Sequence, residues 1–169
     1  MKYPACILAG DYATGECISV ALANKDIVQD AGAKMIHLGQ HTKSRIISKS
    51  VSYNGGDTRY RGLVKIARQA ANSYSKVECD TLLLDQNSRT DTLPTEVIAN
   101  ASSLLEHEAS VSAISVEQLF YLNSRGIPTT DAQHLIVMGF LEPFAKELPM
   151  EYALELNRLV KLDMEGSVG

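Results

Sequence analysis

The chain has three cysteines, Cys6, Cys17 and Cys79, with no Cys-x-x-Cys pair among its 169 residues. An odd, scattered set fits a reducing compartment better than a disulfide framework, and it excludes a self-contained structural zinc site of the usual kind. No apolar run approaches the roughly 20 residues that a membrane helix needs, and the N-terminus lacks the design of a signal peptide. A cytoplasmic location, with no membrane partner, is therefore expected. There is no glycine-rich loop ending in Gly-Lys-Ser/Thr, no Gly-x-Ser-x-Gly elbow and no paired acidic motif for glycoside chemistry. Without such a constellation the chain does not read as a self-sufficient enzyme. A formal net charge of -4 argues against general nucleic-acid binding. The one concentrated basic stretch, Lys43 to Arg68, carries strand-like apolar residues and reads as a solvated sheet face.

What remains is enough hydrophobic sequence, 45% of the residues, to bury a core in one domain or two small ones. Residues 1 to about 112 read as short strands punctuated by turns. The strands expected are Ala5-Leu8, Glu16-Leu22, Lys34-Leu38, Ser44-Ile47, Gly62-Ile66, Val77-Leu84, Glu96-Ile98 and Ser103-Val111. Gly10-Asp11, Ala23 to Asp26, Asn54 to Asp57 and Asp85 to Ser88 break them. Only Lys65 to Ala71 has, weakly, the spacing of an amphipathic helix. Pattern alone leaves two sheet architectures open, a hairpin sandwich and a stack of parallel rungs spaced by roughly 20 to 30 residues.

From Ile114 the period changes. Ser115 followed by Gln118 opens a helix that Arg125-Gly126 closes. A second helix is expected after Pro128, capped by Thr129 or Thr130 and ended or kinked by Pro143. A third starts with Pro149 in its first turn and ends near Asp163. Residues 1–112 and 113–169 are thus expected to form a β unit and a small helical unit.

Cys79, His107 and Glu108, with Glu106 beside them, carry the chemistry. A thiolate, an imidazole and a carboxylate together suit iron or zinc. Strand alternation puts Cys79 on one face with Val77, Thr81 and Leu83, and puts Glu106 and Glu108 on the face opposite His107. The plainer readings are a small buried thiol and a solvated acidic edge. His37 reads as a satisfied strand histidine and His41 as a turn residue.

Several segments carry a resemblance: Asp30 to Gly39, Thr42 to Lys49, Tyr60 to Val64, Cys79 to Leu83, Glu106 to Ala109, Glu117 to Tyr121, Glu147 to Glu151 and Leu162 to Gly169. Collinear over the whole chain, they closely resemble the C-terminal part of the SufB/SufD family of iron-sulfur cluster assembly scaffolds. The resemblance implies a mainly β fold, a right-handed parallel β-helix followed by a small C-terminal α-helical domain. It implies a transient iron-sulfur cluster held near the interface with a SufD-like subunit, with Cys79, His107 and Glu108 as ligands and Glu106 as an alternate. It also implies a SufC-like ATPase docked on the helical end, for which Phe144, Leu148, Pro149, Met150 and Glu151 are the expected contacts, and it leaves room for a flavin in the full complex. ATP hydrolysis would belong to that partner. Two departures stand out: the sulfur-accepting cysteine of the upstream β-helix has no counterpart, and Ser88-Arg89-Thr90-Asp91-Thr92 is closer to SufD where Glu106-His107-Glu108 is SufB-like. The alternative is an interaction module that docks partners and carries no cluster ligands. Exposed strand edges further predict self-association.

Overall fold

The computed structural model describes residues 1–165, and the closing stretch from Gly166 to Gly169 lies outside the described residues. Eleven strands come first in the chain: β1 (Ala5–Leu8), β2 (Thr14–Ala23), β3 (Val28–Ala31), β4 (Lys34–His37), β5 (Lys43–Ser52), β6 (Asp57–Tyr60), β7 (Leu63–Ile66), β8 (Tyr74–Leu83), β9 (Arg89–Thr92), β10 (Thr95–Ile98) and β11 (Leu104–Ala113). They stack as three parallel sheets, ordered β1-β4-β7-β10, β2-β5-β8-β11 and β3-β6-β9. The chain is therefore a parallel β-helix of about four rungs, which settles the choice left open by pattern against the sandwich. Ala5 pairs with Lys34 and Lys34 with Leu63, a rung of 29 residues, while Leu63 to Thr95 takes 32. That lies at and just above the upper end of the expected spacing.

Corners repeat with the rungs. Tyr12, His41 and Asn72 hold left-handed backbone at one corner, and Asp26 and Asn54 hold it at the next. Tyr12 and His41 stack face to face across neighbouring rungs with ring centroids 4.9 Å apart. Inside, columns of side chains run along the axis. Met35, Ile46, Val64, Ile66, Val77 and Cys79 fill an apolar stretch. Beside it, Thr42 bonds Ser73 at 2.7 Å and Ser44 bonds Ser75 at 2.8 Å. Fully buried His37 joins this ladder through Nδ1 to Thr42 (2.8 Å) and Nε2 to Ser44 (2.9 Å), a satisfied strand histidine.

Three strands are additions to the sequence reading. β3, β6 and β9 are four residues long and largely polar, so no apolar alternation announces them. Parallel backbone pairing and ions hold them instead, as where Arg61 reaches the buried Asp30 carboxylate at 3.0 Å. The helical spacing of Lys65 to Ala71 is a coincidence of composition, since the segment closes β7 and then turns. The basic stretch from Lys43 to Arg68 is not one solvated face either. It is divided among β5, β6 and β7 in three sheets, and Lys49 is mostly buried with an ionic partner.

The helices α1 (Val116–Ser124), α2 (Thr129–Ala145) and α3 (Met150–Met164) follow. Ser115 caps α1 by accepting from the Gln118 amide at 3.2 Å, as its sequence indicates. Neither threonine caps α2. Pro128 stands at that N-cap without a side-chain bond, and Thr129 is already helical. Pro143 does not end α2, which runs on to Ala145; so close to the C-terminus its missing N–H removes one bond only. Val137, Leu141 and Val160 pack on Val51, Tyr53, Leu82 and Leu84 of the β-helix in a second core. The Tyr53 hydroxyl donates to the Asp163 carboxylate, and Asn24 donates to the Asp163 carbonyl at 3.2 Å.

Candidate functional site

Cys79 lies on β8, third of the four strands in its sheet, and points inward with Val77 and Thr81. Leu83, in register with inward Ser52, keeps to that face, while Leu82 is buried on the outer face beneath the helices, beside Val51. The residue is 4% exposed. Burial pushes its thiol up to about 12, opposed by contact with the Tyr60 hydroxyl and reinforced by the Asp80 carboxylate next in sequence. As it stands, the sulfur is a neutral thiol.

Register places the other ligand candidates. His107 on β11 is paired with Val77, and Ala109 with Cys79. His107 therefore sits diagonally from Cys79, one rung on and on the same inward face. Its Nδ1 lies 2.7 Å from a Glu96 carboxylate oxygen on β10. A carboxylate only accepts, so Nδ1 donates, and in the neutral ring Nε2 keeps its lone pair. That nitrogen is buried and has no partner. A carboxylate behind one ring nitrogen with the other left bare is the arrangement found behind metal-binding histidines.

Glu106 and Glu108 point the other way, into solvent. Glu106 accepts from the Tyr74 hydroxyl at 2.9 Å, and Glu108 is paired in register with Glu78, itself held by Lys76 and by Arg45 at 3.3 Å. The four ligand candidates are thus divided, Cys79 and His107 inward, the two glutamates outward. Among the described residues no three His, Cys, Asp or Glu side chains converge closely enough to enclose a metal ion.

Two neighbours escaped the sequence reading. Glu96 shares an inward column with Val64, and the alternation of the expected strand Glu96-Ile98 was the signal that put it beside apolar Ile98. Tyr60 ends β6, which sequence did not reveal; its ring is buried in the same cluster as Cys79.

The fourth rung is open. Every residue of β10 and most of β11 are exposed, and β11 has one paired neighbour, β8. Val97, Ile98, Leu104 and Val111 are uncovered there. The expected ATPase contacts also divide. Phe144 and Leu148 are half-buried, Phe144 lining a groove with Leu156 and Val160 along β2, whereas Pro149, Met150 and Glu151 are exposed. Next to them Tyr152 and Leu154 are exposed as well. The grooves lined by Thr14, Lys43 and Tyr74, by Tyr3, Arg61 and Leu93, and by Ile18, Phe144 and Leu156 are open surface hollows. No described helix is long and apolar enough to cross a membrane.

Residues 1–140 match the model of the SUF system FeS cluster assembly SufBD core domain. Over all 169 residues the chain is 59% identical to the iron-sulfur cluster assembly protein SufB of Bacillus subtilis (strain 168). It is 57% identical to an iron-sulfur cluster assembly SufBD family protein of Staphylococcus epidermidis (strain ATCC 12228) and to one of Staphylococcus aureus (strain USA300). In each case the whole chain is covered, and it spans 36% of the relative's length. The chain belongs to the SufBD family of iron-sulfur cluster assembly proteins.

Proposed function

We propose that the chain is the cluster-holding end of an assembly scaffold, with Cys79 and His107 as ligands of a nascent iron-sulfur cluster that a partner β-helix completes. The observation that carries this is the pairing of an inward thiol with a bare, carboxylate-backed imidazole nitrogen one rung from an open end. The unpaired edge of β11 and the uncovered apolar residues around it suit the strand edge of a SufD-like subunit. Glu106 and Glu108, on the outer face, would reach the cluster only if that edge rearranges on pairing, or would meet the partner instead. The thiol gives up its proton to water as the sulfur-iron bond forms, and the imidazole bond is the weaker one, suited to a cluster that must leave.

At the other end, exposed Pro149, Met150 and Glu151, with Tyr152 and Leu154, are offered to a SufC-like ATPase. Phe144 and Leu148, half-buried, precede that surface in the sequence. Movement there would reach the β-helix through the shared core of Leu141, Val160 and Leu82. The chain itself catalyses no hydrolysis in this reading.

The buried, protonated state of Cys79 favours a second reading, a docking module in which the thiol is only a small core residue. One experiment separates the two. The complete protein, mixed with its SufD-like partner and ATPase, is reconstituted anaerobically with iron and sulfide and followed by absorption and Mössbauer spectra. Wild type is expected to build a cluster and Cys79→Ser to lose it, with Met150→Glu weakening ATPase capture while leaving cluster loading intact. Unchanged loading in Cys79→Ser removes the cluster-holding role and leaves the docking module.

A further inference from the structure

The Tyr60 hydroxyl is buried, in a residue 4% exposed, and makes no hydrogen bond of good geometry. Unpaired polar atoms are rare in protein cores and each one needs a reason. This one lies against the Cys79 thiol, in the apolar cluster that holds both residues. Space has been kept for it, because a side chain at Gly62 would collide with the phenol oxygen. A neutral thiol is a poor acceptor, which leaves the O–H without a satisfying partner; a thiolate is a strong one.

We infer that Tyr60 is a positioning residue for the metal-bound form of Cys79, donating its O–H to the sulfur once the thiol proton has been lost to water and a metal-sulfur bond has formed. The inference rests on the reading of Cys79 as a ligand. In the core a charged sulfur has no water to solvate it, and the phenol supplies the missing donor without bringing a charge of its own. The phenol keeps its proton throughout. Hydrogen bonds to ligating sulfur withdraw electron density from it and shift the energy of its transitions to the metal. The orphaned hydroxyl is thus prepared for the loaded state and left unsatisfied in the empty one.

The test uses Cd2+, which binds thiolate without redox chemistry, and the complete protein carrying this sequence. The sulfur-to-metal absorption band is read as a difference against Cys79→Ser. In Tyr60→Phe, which keeps the ring and loses only the hydroxyl, the band is expected to remain but move to longer wavelength, with affinity about tenfold weaker. Its thermal midpoint without metal is expected to equal or exceed that of the wild type, since an unsatisfied group has been removed. A band and affinity unchanged from wild type, or a lowered midpoint with an unchanged band, overturn the inference and make Tyr60 purely structural. A band that is absent in wild type, or persists fully in Cys79→Ser, overturns the ligand reading of Cys79 and this inference with it.

Discussion

Lys49 joins the helical end of the chain to the strand that carries Cys79, and replacing it by Met measures that joint. Its Nζ lies 2.6 Å from the Asp80 carboxylate and 4.8 Å from the centroid of the Phe140 ring on α2. Its side chain is 14% exposed, that of Asp80 32%. Asp80 also accepts from the Ser110 hydroxyl on β11, so this one carboxylate ties the second, third and fourth rungs together. Methionine keeps the length and packing of the stem and loses the charge. A partly exposed ion pair contributes about 1 kcal/mol after solvent screening, and a cation over an aromatic face contributes about as much again. Together they make a local loss of about 2 kcal/mol, which corresponds to roughly 30-fold faster hydrogen exchange where opening is at equilibrium. Amides of β5, β8 and α2 are expected to show it, and the effect should shrink in high salt. A double-mutant cycle with Phe140→Leu then isolates the contact between strand and helix. Protection unchanged in Lys49→Met within a factor of about two, or strictly additive single effects, would refute the joint.

Two further outcomes are expected. Burial holds His37 neutral, with its pKa below the ordinary value; the unfolded chain then binds the extra proton first, so stability is full above about pH 6.5 and falls as pH drops below that. Denaturation midpoints between about pH 7 and 5 should decline in wild type and decline less in His37→Gln. Leu141 is fully buried between α2 and the β-helix, and Leu141→Ala should cost about 3 kcal/mol by cavity formation, with α2 and α3 losing exchange protection before the rungs do. Equal loss of protection in the first rung would contradict a separate opening of the helices.

The long strands were legible because their inward residues alternate, as in β8, where Val77, Cys79 and Thr81 face the core. So was the cap of α1, where Ser115 and Gln118 sit three apart as the bond requires. The short polar strands β3, β6 and β9 were not legible, because Asp57-Thr58-Arg59-Tyr60 carries charge at alternate positions and is held by neighbours 29 and 32 residues away that no local window contains. For the same reason Cys79 and His107 could be named from residue type, while their sharing of one face came only with register. Tyr60 shows the limit most clearly: its ring reaches Cys79 across the lumen of the β-helix, a neighbourhood made entirely by coiling.

A parallel stack has a further consequence for its last member. An interior rung is held by a ladder above and a ladder below, but β10 and β11 are held from one side only. In a one-dimensional array the end unit keeps half the neighbour energy and opens on its own, well before the rest. His107 and Glu96 belong to that end unit, whereas Cys79 belongs to the rung beneath. The sulfur therefore sits in a wall braced on two sides, and the imidazole in a leaf braced on one.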